Sequence, residues 1–297
     1  MVKVTPAMVK ELREKTGAGM LDCKKALEET QGDIEAAITY LREKGIAKAE
    51  KKASRVAAEG LCNVVSNDTD AVLFEINSET DFVAKNAIFL DLVAKIGDAL
   101  LNSSVQNTEE ALALEVDGQT IEIILKEATA TIGEKISMRR VTRVTKNASQ
   151  SFGSYKHMGG RIVSLTVVEG QNDEVAKDIA MHVAAINPKY LSQDDISSEV
   201  VEHERSILLA EALNENASAA KPKPENIIEK MVQGRLNKYL QEICLLNQPF
   251  VKNPELTVEA YVKSKGSKVV SYKRLEVGEG IEKEVVDFAA EVMSQVR

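Results

Sequence analysis

The sequence predicts an α+β fold: a small helical module, a core of two similar strand-and-helix units, an inserted helical hairpin and a short C-terminal module. Three observations carry this. The first 45 residues hold only helical spacing broken by glycines. A strand–turn–strand–helix pattern occurs twice, 92 residues apart. A polar stretch with Lys-Pro-Lys-Pro separates two later apolar helical stripes.

Residues 1–45 read as three helices. Thr5 is a cap and Pro6 suits a first helical position, with Val9 and Leu12 following. Thr16-Gly17-Ala18-Gly19 breaks that helix. The second runs from about Met20 to Glu29, and Asp33 caps a third with Ile34, Ala37, Ile38 and Leu41 at helical spacing. So few apolar residues make a small core, which suits a docking unit. Residues 46–58 read as a charged linker.

The core begins with strands at Gly60–Val65 and Ala71–Asn77 around a polar turn. A long helix follows, ending near Asn102, then an interrupted helical stretch to 135 with a turn at Asp117-Gly118. Strands return at Ile136–Thr145, Phe152–His157 and Arg161–Glu169. A helix from about Asp173 stops before Pro188. This divides the core into subdomains 59–145 and 146–275. Asp81-Phe82-Val83-Ala84-Lys85-Asn86 matches Asp173-Glu174-Val175-Ala176-Lys177-Asp178 at four of six positions, and Leu73 and Ile76 meet Leu165 and Val168. The match reads as a duplicated α+β subdomain. Residues 193–247 read as two antiparallel helices, either a protruding hairpin or an ordinary packed pair. Residues 276–297 form the C-terminal module, with a strand at Val269–Val277 before it and a last helix near 282–295.

Composition narrows the function. The 297 residues carry a formal net charge of −8, and aromatic residues are 4% with no Trp. Neither a basic surface for a phosphate backbone nor a stacking platform is indicated. Residues 1–55 alone hold 12 Lys and Arg against 9 Asp and Glu. That excess, at Lys44, Lys48, Lys51, Lys52 and Arg55, is either a solvated helix face or a docking face. Three scattered cysteines without a CxxC spacing give no disulfide framework or zinc site, and fit a reducing cytoplasm. No apolar run reaches membrane-spanning length. Phosphate-loop and dinucleotide motifs are absent, His157, His182 and His203 are far apart, and no cofactor is implied. The chain reads as a binding protein and not an enzyme.

One segment stands out. Thr80-Asp81-Phe82-Val83 lies where a strand turns into a helix. Asp81, aligned with Asp173, is expected to cap that helix. Phe82 and Phe89 are seven apart and could share one core-facing stripe. The repeat points the other way for Phe82: it sets Glu174 opposite Phe82 and Met181 opposite Phe89, so Phe82 is expected in water and Phe89 in the core.

Thr16-Gly17-Ala18-Gly19-Met20-Leu21-Asp22-Cys23-Lys24-Lys25-Ala26-Leu27 and Glu79-Thr80-Asp81-Phe82-Val83-Ala84-Lys85-Asn86 resemble the two signatures of the bacterial elongation factor Ts family. Tyr155-Lys156-His157-Met158-Gly159-Gly160-Arg161 and Gln248-Pro249-Phe250-Val251 are similar to other segments of it. The resemblance spans nearly the whole chain. It implies a ubiquitin-associated-like N-terminal domain and a cytoplasmic guanine-nucleotide exchange factor for the GTPase elongation factor Tu. It implies that Thr80, Asp81, Phe82 and Val83 dislodge the partner's magnesium, and that Ile132, Gly133 and His157 touch its nucleotide domain. The N-terminal module, at Thr16, Gly17 and Met20, and the last helix would grip the same domain, and Val251 another one. It leaves a homodimer in the complex open. The alternative function is a chaperone or adaptor that binds peptides or ubiquitin-like partners through the three-helix module.

Overall fold

The computed structural model describes residues 4–219 and 221–282. Among these, the chain falls into two compact units, one of residues up to 145, 156–163 and from 275 on, the other of residues 146–155 and 164–274.

The first unit starts with α1 (Pro6–Thr16), α2 (Met20–Glu29) and α3 (Ile34–Glu50). The Thr5 hydroxyl accepts the Met8 N–H at 3.3 Å and Asp33 accepts that of Ala36 at 3.0 Å, so both expected caps form. Leu12, Cys23, Ala26, Leu27 and Ala37 make the small core. α3 runs five residues into the stretch read as linker. Ile46-Ala47-Lys48-Ala49-Glu50 favours helix, and its charges lie on a helical face instead of a coil.

Next come β1 (Glu59–Ser66), β2 (Asp70–Ser78), α4 (Asp81–Ala84), α5 (Ala87–Leu101), α6 (Thr108–Ala113), the hairpin β3 (Glu115–Val116) and β4 (Gln119–Thr120), α7 (Ile121–Ile132) and β5 (Ser137–Thr145). β1 and β5 flank β2, both antiparallel to it, in the order β1-β2-β5. Every β2 residue from Ala71 to Ser78 is buried. Its Val72, Phe74 and Ile76 pack with Phe89, Val93, Ile96 and Leu100 of α5 and Leu125 of α7. α3 lies on α7: a Cβ on Gly45 would stand 3.0 Å from the Ala130 methyl, and Arg42 pairs with Glu127 at 2.7 Å.

The single helix expected from 81 to about 102 is in fact two. Asn86 accepts the Ile88 N–H at 2.8 Å and so caps a fresh helix, while α4 is one turn long. Phe82 and Phe89 therefore stand on different elements, and a shared stripe is excluded.

The remaining elements are β6 (Gln150–His157), β7 (Ile162–Glu169), α8 (Asp173–Ile186), α9 (Ser198–Ala217), α10 (Glu225–Ile243), β8 (Pro249–Phe250), β9 (Asn253–Thr257), α11 (Val258–Ser264) and β10 (Lys268–Glu276). Their sheet has the order β10-β7-β6, so that each sheet places its second strand at the centre. α8 lies hard against this sheet. The Ser164 and Thr166 hydroxyls donate to the carbonyls of Ala180 and Ala176 at 2.6 and 2.5 Å. A Cβ on Gly153 would come within 1.9 Å of the Ala176 carbonyl carbon, so no side chain fits there. α9 and α10 pair through Leu208, Ala212, Ile228 and Val232. β8, β9 and α11 are not among the elements expected from the sequence. The expected last helix lies outside the described residues, apart from Glu282 at its start.

Candidate partner-docking site

The first unit's exposed apolar side chains include Met20, Leu21, Phe82 and Met158, and Phe82 stands just after the turn from β2 into α4. Thr80, not Asp81, is the N-cap: its hydroxyl accepts the Val83 N–H at 3.4 Å. Asn172 likewise precedes Asp173 as the cap of α8, accepting the Val175 N–H at 3.3 Å. Both aspartates stand one residue later than expected, so the pairing of the two segments survives the correction. Asp81 occupies the first turn and pairs with Lys85 at 2.7 Å; that bond holds its carboxyl below the usual carboxylate range. Phe82 follows and is 81% exposed, while Val83 and Ala84 turn inward. In the second segment Glu174 is exposed and Val175 and Ala176 are buried, the same pattern residue for residue. Phe89 is fully buried.

Glu134 holds this turn from the far side of the sequence. Its carboxylate accepts the N–H groups of Glu79 and Thr80 at 3.1 and 2.9 Å and the Thr80 hydroxyl at 2.7 Å. Gly133, just before it, ends α7 with φ 92°, a left-handed conformation that favours glycine, and no atom lies within 4 Å of where a Cβ would be. Lys52 donates to the Gly133 carbonyl. Ile132 is half-buried against the core.

The α1–α2 turn abuts the same end of α7. A Cβ on Gly17, which has φ 66°, would stand 3.3 Å from Thr131 Cγ2. The neighbouring Thr16 is half-buried and donates to the Leu12 carbonyl at 2.7 Å. Met20 is 59% and Leu21 83% exposed at the start of α2. On another side, His157 is exposed at the end of β6 and Met158 beside it is 69% exposed with φ 49°. Gly160 presses this turn onto β1, where a Cβ would be 2.8 Å from the Cys62 carbonyl oxygen. Asp81 feels the charge of Arg161 from the same turn. Thr16, Gly17, Ile132, Gly133 and Thr80–Val83 thus belong to one connected region, with the His157 turn beside Asp81. Sequence reasoning missed Leu21 and Met158 as exposed apolar residues and Glu134 as the support of the β2–α4 turn; a lone glutamate before Lys135 carries no signal.

Val251 belongs to the other unit. It is 41% exposed, and its N–H donates to His182 Nδ1 at 3.2 Å. His182 is fully buried, so its proton sits on Nε2 and is donated to Gln248 Oε1 at 2.9 Å. Burial pushes this imidazole below its ordinary pKa. His182 is the packing residue its place on a helical apolar stripe suggests.

Most of the positive excess near residues 44–55 is engaged internally. Lys48 pairs with Asp22 at 3.1 Å, Arg55 with Glu79 at 3.2 Å, and Lys44 lies 5.5 Å from the Tyr40 ring centre. Among the described residues no group of three or more His, Cys, Asp and Glu could hold a metal ion, and no helix is long and apolar enough to cross a membrane.

The family model described as Elongation factor TS matches residues 79–279. A curated protein named Elongation factor Ts, from Acholeplasma laidlawii (strain PG-8A), is 60% identical over 294 residues, which is 99% of this chain and 99% of that protein.

Proposed function

Because this chain belongs to the elongation factor Ts family, we propose that it is a nucleotide exchange factor that uses the α4 tip to loosen the magnesium and phosphate site of elongation factor Tu. The observation that carries the mechanism is Phe82, held in water at 81% exposure on a one-turn helix fixed at its base. Magnesium bridges the nucleotide phosphates to a GTPase's own residues. An aromatic wedge that displaces those residues weakens the metal and, with it, the nucleotide. The factor itself performs no chemistry and acts in the cytoplasm. It binds the nucleotide-free partner more tightly than the loaded one, and by reciprocity nucleotide weakens the factor's hold by the same ratio.

Asp81, beside the wedge and paired with Lys85, presents a carboxylate where a metal site would be disturbed. Gly133, Ile132, the start of α2 and the His157 turn supply the broader contact with the nucleotide domain, and Val251 meets a separate part of the partner.

The test is release of fluorescent GDP from purified elongation factor Tu. The full chain is expected to accelerate release, Phe82→Ala to lose most of that acceleration, and added GDP to weaken the complex. No acceleration by the unmodified chain would overturn the reading.

A further inference from the structure

Two surface segments of the docking region lie more than fifty residues apart in sequence, yet one carboxylate joins them. Resting on the exchange reading above, we propose that Glu134 is a positioning residue for exchange: it fixes the Phe82 tip against the Ile132-Gly133 corner so that both meet the partner as one rigid surface.

The bonding is specific to the tip. Glu134 takes the last two backbone N–H groups before Asp81 and the hydroxyl that caps α4. Thr80 donates that hydroxyl proton to Glu134 while its oxygen accepts the Val83 N–H, so the glutamate also orients the cap. The tie is reciprocal. Glu79 Oε1 accepts the Lys135 N–H at 2.7 Å, which staples the two turns by a carboxylate from each side. Arg55 joins the same node: it pairs with Glu79 at 3.2 Å, and its carbonyl accepts from Lys135 Nζ at 2.9 Å. Lys52, one turn earlier, donates to the Gly133 carbonyl. The chain leaving the three-helix module is therefore anchored where the wedge is anchored.

Charge-assisted bonds to backbone N–H groups are among the stronger hydrogen bonds in proteins. A site held by such supports loses less freedom when it binds, and that is the source of its gain. Without Glu134, two N–H groups and the cap hydroxyl lose their acceptor together. The tip would still carry Phe82 but would sample positions that miss the partner's metal site.

A double-mutant cycle on the full chain tests this, with fluorescent GDP release from elongation factor Tu as the readout. Glu134→Ala is expected to slow exchange about tenfold, the loss of one charge-assisted bond's worth of positioning. In the Phe82→Ala background the same change is expected to do nothing more, since the group being positioned has gone. Should Glu134→Ala not fold, Glu134→Gln carries the cycle, with a smaller loss that is likewise absent without Phe82. Losses that multiply in the double variant, or exchange at the normal rate by a Glu134 variant with a lowered melting temperature, would reduce Glu134 to a stability residue and overturn the inference while leaving the exchange reading intact. Normal exchange by Phe82→Ala would overturn both.

Discussion

The sharpest separation of stability from function lies in two phenylalanines seven residues apart. Phe89 is fully buried on α5 in the cluster with β2, and Phe82 is 81% exposed. Cutting a buried Phe to Ala costs about 3–5 kcal/mol, from lost burial and the cavity left behind. With a urea dependence of about 3 kcal/mol per M, Phe89→Ala is expected to lower the midpoint by about 1–1.7 M. An exposed truncation changes stability by less than about 0.5 kcal/mol, so Phe82→Ala is expected to keep its midpoint within about 0.2 M. Urea unfolding followed by circular dichroism reads the first half, and GDP release from elongation factor Tu the second. Phe82→Ala should exchange poorly while folding normally. A stability loss at Phe82 on the scale of Phe89 would return Phe82 to the core and refute the reasoning. Normal stability with normal exchange would make the tip a bystander.

Two glycines should respond to alanine with opposite signs. Gly153→Ala drives a Cβ into the α8 backbone and is expected to cost about 2–3 kcal/mol, whereas Gly234→Ala, exposed in α10 with nothing within 4 Å, is expected to add about 0.5–1 kcal/mol; urea midpoints that move the same way would contradict this. Acid should weaken the chain through His182. Its folded pKa lies below the unfolded value of about 6.5, so the unfolded chain takes the proton first and stability, full above that pH, falls as pH drops through it, by at most about 1.4 kcal/mol per pH unit. Urea midpoints at pH 7.5 and 5.5 should differ less in His182→Gln than in the unmodified chain, and an equal difference in both would rule His182 out.

The sequence made some of this plain because the deciding signals are local. Thr5-Pro6, Gly17 and Asp33 bound their helices through side-chain caps and a left-handed residue, all within a few positions. The exposure of Phe82 and burial of Phe89 were legible through the 92-residue offset, since a position shared with Glu174 tolerates water. What failed was also local but misread. Asn86 looked like another helical residue, yet its side chain caps a new helix, and Asp81 looked like a cap one residue after the true one. The stretch 46–58 suggested a linker by charge, yet α3 extends into it as far as Glu50, and Lys48 and Arg55 pair with Asp22 and Glu79. Glu134 was invisible because its partners lie 54 and 55 residues away, a separation that no periodicity reports.

Phe82 stays out of the core for geometric reasons, and this bears on how much work it can do. α4 is a single turn with its cap tied to Glu134, and the chain restarts at Asn86. Within that turn Val83 and Ala84 already take the inward side. No rotation of so short and so fixed a helix buries Phe82 without exposing them. Its apolar surface is therefore left in water, and burying a Phe against a partner would be worth about 1.5–3 kcal/mol. Turning a partner from almost wholly loaded to almost wholly empty needs about 5.5 kcal/mol of differential affinity. As the proposed wedge, Phe82 would supply between about a quarter and a half of that. On the proposed function the rest would come from contacts that also favour the empty partner, and Met20, Leu21, Gly133 and the Met158 turn are among the exposed surfaces of this unit.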